Sequence, residues 1–198
     1  MKNDKILKLA LTGMFAALSY VVFAFLQIKI PLPGGDATSI HLGNAVCVLA
    51  ALILGGTYGG LAGAIGMTIG DLFDPIYVVY APKTFLCKFL IGFIAGTLAH
   101  RCGKIGESRN RSHVLKWAAI SAAAGLLFNV FADPLLGYAY KIVLLGRPAA
   151  QVTLVWNFAS TSVNAVLSFI VSLAVYMALR PALGRAGLLT RKEKPASL

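Results

Sequence analysis

Residues 42–70, LGNAVCVLAALILGGTYGGLAGAIGMTIG, form a run of 29 residues without a formal charge. Whether this run crosses a membrane once or twice decides the fold. Glycines at 55, 56, 59 and 60 crowd its middle, and each weakens a helix interior by about 1 kcal/mol relative to alanine. That density favours a hairpin turning near residue 55. Charge points the same way. Lys2, Lys5 and Lys8 precede the first apolar segment, and Arg101, Lys104, Arg109, Arg111 and Lys116 share one loop. Basic flanks of membrane spans stay cytoplasmic, so an even number of spans must separate these clusters. A hairpin at 42–70 gives four spans; a single helix gives three and strands a five-charge basic loop outside.

Composition sets the class. Of 198 residues, 58% are hydrophobic and 13% charged, and the mean hydropathy is +0.79. A soluble domain carries about a quarter charged residues, so the chain is expected to be an integral membrane protein folded as one domain. The net charge of +11 does not imply nucleic acid. Thirteen of the 18 basic residues sit in three short clusters, the third being Arg180, Arg185, Arg191, Lys192 and Lys194 after the last apolar run. That pattern is topology and lipid headgroups. Cys47, Cys87 and Cys102 form no CxxC and no metal spacing. Leu9 to Ile28 lacks a convincing A-x-A cleavage site and reads as a retained first span.

The expected architecture is an all-α integral membrane protein with six transmembrane helices in one bundle. The spans fall at about 5–27, 41–55, 57–72, 82–100, 117–140 and 152–179, with N- and C-termini cytoplasmic and a basic tail over 180–198. PLPGGDATS, residues 31–39, reads as a turn-rich outer loop. On span 1, Thr12/Ala16 and Gly13/Ala17 are small pairs four apart. They let another helix approach closely, from within the chain or from a partner.

Between spans 3 and 4 lies DLFDPIYVVYAPKTFLCK, residues 71–88, which mixes two carboxylates, two lysines and two tyrosines. Pro82 suits the first turn of a helix. Lys88 then lies about 9 Å inside, where an ammonium must snorkel, pair or face a wet cavity. In span 5, Asn129 and Asp133 share a face, and Pro134 is expected to kink the helix beside them. Lys141 and Arg147 read as an outer turn, and Asp36 as an ordinary loop carboxylate. In span 6, Asn157, Thr161, Asn164 and Ser168 form a polar stripe. Such groups either lock helices together or line a wet cavity, and both roles are open for each amide. The retained charges of Asp133 and Lys88 favour function. No HExxH, GxSxG or P-loop occurs. Asp71 and Asp74, beside Pro75, suit a loop closure better than a catalytic pair. Inverted halves typical of many secondary transporters are not evident.

These features resemble the substrate-binding S components of energy-coupling factor (ECF) vitamin importers. The likeness rests on the short basic N-terminus, the small residues of span 1, and the blocks TSIHLGNAVCVLAALILGGTYGGLAGAIGMTIGDLFDP and IYVVYAPKTFLCKFLIGFIAGTLAH. The central block is most similar to the riboflavin-type subgroup, to which hydroxymethylpyrimidine and pyridoxine carriers are related. The resemblance implies a subunit, not an enzyme and without a cofactor, that binds a vitamin at the outer face of a prokaryotic plasma membrane. A transmembrane coupling subunit and two ATPases then drive uptake. The family's AxxxA docking strip matches Gly13 and Ala17, with glycine replacing the first alanine. Its pocket lies at the outer helix ends, which implies substrate-binding roles for His41, Asp71, Asp74, Lys83, Asn129, Asp133, Asn157 and Asn164. Tyr77, Tyr80 and Trp156 would stack on a heterocycle, and the amides and carboxylates suit a ring with N–H or amino groups. The first substrate expected is a small heterocycle such as hydroxymethylpyrimidine or pyridoxine, then riboflavin. The alternatives are a stand-alone secondary transporter of a small polar metabolite or, ranked lower, a membrane-embedded enzyme.

Overall fold

A computed structural model describes residues 2–32, 35–146 and 150–188. The chain is mostly helical: α1 (Lys2–Phe25), strands β1 (Gln27–Leu32) and β2 (Asp36–His41), α2 (Gly43–Leu54), α3 (Gly56–Leu72), α4 (Ala81–Thr97), α5 (Arg111–Val143) and α6 (Ala150–Arg185). Four segments are long and apolar enough to cross a membrane: Lys5–Phe25, Val78–Cys102, Arg111–Val143 and Gln151–Arg185. The helices α2 and α3 are shorter, at 12 and 17 residues.

The uncharged run at 42–70 is two helices broken at Gly55, whose φ of +91° suits a residue without a Cβ. Packing shows that they fold back on each other. A Cβ at Gly59 would lie 2.2 Å from the Ala51 Cα, and one at Gly63 would lie 2.3 Å from the Cys47 sulfur. Both pairs are symmetric about residue 55, as an antiparallel hairpin requires. Other α3 glycines bring further backbones close. A Cβ at Gly60 would meet the Phe89 carbonyl of α4 at 2.6 Å, and one at Gly66 the Ala16 carbonyl of α1 at 2.2 Å. Thus α3 packs tightly against α1, α2 and α4 through small residues. The two small pairs of α1 divide between faces. Thr12 and Ala16 are buried, whereas Gly13 and Ala17 are exposed and a Cβ at Gly13 would meet nothing within 4 Å. Leu52, Ile91, Val114, Leu126 and Tyr176 fill the core between α2, α4, α5 and α6.

Three expectations need correction. The segment read as an outer loop contributes to an antiparallel hairpin, paired from Gln27↔His41 to Leu32↔Asp36, so the fold is helical with a β-hairpin cap rather than all-α. Pro31 is tolerated because a two-stranded ribbon has no central strand and proline forfeits little at an edge. Helix α5 runs through Pro134 to Val143, which places Lys141 inside a helix and not in an outer turn. Helix α6 continues past residue 179 to Arg185. There Arg180 donates to the Tyr176 hydroxyl (2.7 Å) and to the carbonyls of Ile105 and Ser108 (2.6 Å each), fastening the basic loop to α6. Pro33, Gly34, Arg147 and tail residues 189–198 lie outside the described residues.

Candidate functional site

A cavity opens at the hairpin end of the bundle, the end away from the Arg101–Lys116 loop, with about 690 Å³ of atom-free space including its open mouth. Each wall is one helix face. Spacing of four on α5 turns Asn129, Asp133, Gly137 and Lys141 inward, and α6 contributes Asn157, Ser160, Thr161 and Asn164. Met67 and Asp71 come from α3, and Lys83, Thr84 and Lys88 from α4. Strand β2 lies across the top and adds Asp36 to Ser39 and His41.

Of the residues expected at the site, His41, Asp71, Tyr77, Tyr80, Lys83, Asn129, Asp133, Asn157 and Asn164 all line this cavity. Asp74 and Trp156 do not. Asp74 pairs with Lys29 of β1 and accepts from the Ile76 N–H at 3.0 Å, closing the loop after α3. Burial works to raise its carboxyl, but the Lys29 hydrogen bond and the Ile76 N–H outweigh this and hold it below the usual carboxylate range. Trp156 is 49% exposed, because facing Asn157 inward turns its neighbour about 100° away on a helix.

The mouth is held by bonds among protein groups. Asp36 pairs with Lys141, both buried. Its Oδ1 also accepts from the Ala37 N–H (2.9 Å) and the Tyr80 hydroxyl (3.3 Å). Lys141 donates to the Thr153 hydroxyl at 3.0 Å and lies over the Tyr80 ring, 5.5 Å from its centroid. The Asn164 amide is spent on β2: its oxygen accepts from the His41 N–H and its nitrogen donates to the Ser39 carbonyl, both at 2.9 Å. The Thr38 and Ser160 hydroxyls add a third tie between β2 and α6. A hairpin alone is marginal in water; these contacts hold it over the cavity.

Deeper in, Asp133 accepts from Lys83 at 3.0 Å, and Lys88 stands 3.8 Å from the same oxygen. His41 accepts from the Gly43 N–H through Nδ1, so a neutral ring carries its proton on Nε2. Its ring meets Phe23 edge-on at 4.9 Å. Among the described residues, the side-chain oxygens of Asn44 and Asn129 and Oδ2 of Asp71 have no hydrogen-bond partner, although all three residues are at most 3% exposed.

Sequence reasoning missed Asp36, Lys141 and Asn44 as cavity residues. The α5 periodicity 129, 133, 137, 141 carried a signal for Lys141, had the helix been extended past Tyr140. Asn44 stands three residues after His41 and was the sole amide within the uncharged run.

A helical membrane bundle with a polar cavity under a hairpin defines a membrane subunit that holds a small solute. Residues 3–181 match the family described as ECF-type riboflavin transporter, S component, and the chain belongs to that family. Among solved structures, ThiT from Listeria monocytogenes superposes with a TM-score of 0.66 at 16% identity, covering 96% of this chain and 100% of that one. The S component for biotin from an ECF-type ABC transporter gives 0.62 at 18% identity, covering 91% and 94%. At these identities the likeness shows the fold. Comparison with curated proteins finds no match. The resemblance seen in the sequence therefore holds: the chain is an S component, a membrane-embedded vitamin-binding subunit of a class that works with ECF modules and is not enzymatic.

Proposed function

We propose that this chain captures a B vitamin or vitamin precursor at the outer face of a prokaryotic plasma membrane. A coupling subunit and two ATPases then import it at the expense of ATP. The observation that carries this reading is the charge-balanced cavity. It holds three carboxylates (Asp36, Asp71, Asp133) and three ammonium groups (Lys83, Lys88, Lys141). With no surplus of either sign, it suits an uncharged or zwitterionic solute better than a phosphate ester or a fatty acid. Tyr77 and Tyr80 offer ring faces near the top. A small heterocycle such as hydroxymethylpyrimidine or pyridoxine is the first substrate, with riboflavin next. Lys8, the Arg101–Lys116 loop and Arg180 lie at the other end of the bundle, which supports six spans with cytoplasmic termini and an outward-facing cavity. The exposed Gly13/Ala17 strip supports docking of the coupling subunit there.

Native mass spectrometry of the purified protein tests the reading, with one retained vitamin as the expected result. Uptake into proteoliposomes should require the energising subunits and ATP. Uptake by this chain alone on an ion gradient would overturn the proposal. Asp133→Ala or Asn157→Ala should weaken vitamin binding by about tenfold or more, and unchanged affinity in both would remove the cavity as the site.

A further inference from the structure

The polar groups of the cavity divide into some spent on the fold and some left open. The Asp36–Lys141 pair at the mouth and the Asn164 amide further in bond to protein groups, while the Tyr77 hydroxyl near the top has no hydrogen-bond partner among the described residues. Deeper in, among the described residues, the side-chain oxygens of Asn44 and Asn129 and Oδ2 of Asp71 lack hydrogen-bond partners. Lys88 is 5% exposed and makes no side-chain hydrogen bond among the described residues; its nearest carboxylate oxygen, at 3.8 Å, already takes Lys83 at 3.0 Å. Buried acceptors and a buried ammonium are each costly to leave unfilled. These four groups come from four helices, α2, α3, α4 and α5, so their spacing is set by rigid elements. Beside them Phe23 and Met67 meet around Gly43, where a Cβ would lie 3.2 and 3.1 Å from them, and both line the cavity. An apolar wall next to a fixed pattern of acceptors and one donor matches the edge of a nitrogen heterocycle. A flexible polyol or an acyl chain would leave either the wall or the pattern unmatched.

We infer that the vitamin enters ring first. Its nitrogen-bearing edge would donate from amino or ring N–H groups to Asn44, Asn129 and Asp71 and accept from Lys88, while its hydroxyl-bearing substituent faces the mouth. This makes Asn44, Asn129 and Lys88 specificity-determining residues, and it rests on the cavity being the vitamin site.

The test uses the purified full chain in lipid nanodiscs and calorimetry with hydroxymethylpyrimidine, pyridoxine and riboflavin, the tightest binder serving as the probe. If none binds, the vitamin reading fails and the inference with it. Given a probe, an analogue methylated at its ring or amino nitrogen should lose about tenfold or more in affinity. An analogue acetylated at an exocyclic hydroxyl should lose less than about threefold. Equal losses, or the reverse order, would overturn the ring-first orientation while leaving the vitamin reading intact. On the protein side, Asn44→Leu, Asn129→Leu and Lys88→Met should each weaken the unmodified probe by about tenfold or more. Wild-type affinity in all three would also overturn it. Should a variant not fold, the analogue comparison on wild-type protein decides.

Discussion

Replacing Asp36 by asparagine should destabilise the chain more than replacing Asp36 and Lys141 together. The two side chains are 3% and 4% exposed and paired. Removing one charge leaves the other buried, at a cost of about 3–5 kcal/mol. For a chain of this length each kcal/mol shifts Tm by about 2–4 °C, so Asp36→Asn or Lys141→Met should lower Tm by about 6–20 °C. The double variant Asp36→Asn/Lys141→Met removes both charges, so no unpaired charge stays buried. It should therefore recover at least half of the single-variant loss. Tryptophan fluorescence during heating in detergent reads the transition through Trp117 and Trp156. A double variant whose loss equals the sum of the two singles would refute the coupling, and with it the claim that this pair fastens the hairpin tip to α5.

The α3 glycines yield a paired comparison: Gly59→Ala drives a Cβ to 2.2 Å from the Ala51 Cα and should cost about 1–3 kcal/mol or more, whereas Gly13→Ala has open space and should leave Tm unchanged or slightly raised. Similar Tm losses in both would rule out close packing as the cause. Ala17→Trp on the exposed face of α1 should abolish uptake in cells holding the energising subunits and leave vitamin affinity intact; normal uptake would reject the docking strip. Asp74 lies outside the membrane-spanning segments and its carboxyl is held below the usual range, so its contribution is present above the unfolded pKa of about 4 and is lost as pH falls through the folded value. The Tm difference between wild type and Asp74→Asn should hold from pH 8 to 5 and shrink below about pH 4, and a difference unchanged down to pH 3 would refute the Lys29–Asp74 contribution.

The helical frame was legible because hydropathy and basic flanks are local signals. Glycine density at 55–60 located the break now seen at Gly55. The hairpin was not legible: β1 and β2 are held by Asn164 and Ser160, more than a hundred residues further on, and no local pattern announces such partners. For the same reason Asp36 looked like a loop carboxylate, since its burial follows from Lys141 and Tyr80 packing against it. Trp156 was placed at the site by residue type alone, although the helix phase that turns Asn157 inward already turns Trp156 outward. Asp74 was grouped with Asp71 by spacing, yet α3 ends at Leu72, and beyond a helix end the helical spacing rule no longer applies.

Satisfied and unfilled polar groups divide the cavity residues by the effect their loss should have. A residue such as Asp36, Lys141 or Asn164 already spends its polar atoms on the fold, so its replacement acts first on stability and reaches affinity through the hairpin. A residue such as Asn44 or Asn129 leaves its side-chain oxygen without a hydrogen-bond partner among the described residues. An apolar isostere there removes an orphaned acceptor, so it should leave the free protein as stable as before or more stable, while the bound complex loses a hydrogen bond. Opposite signs in stability and affinity at the unfilled groups, against parallel losses at the satisfied ones, separate a residue kept for its ligand from one kept for the fold.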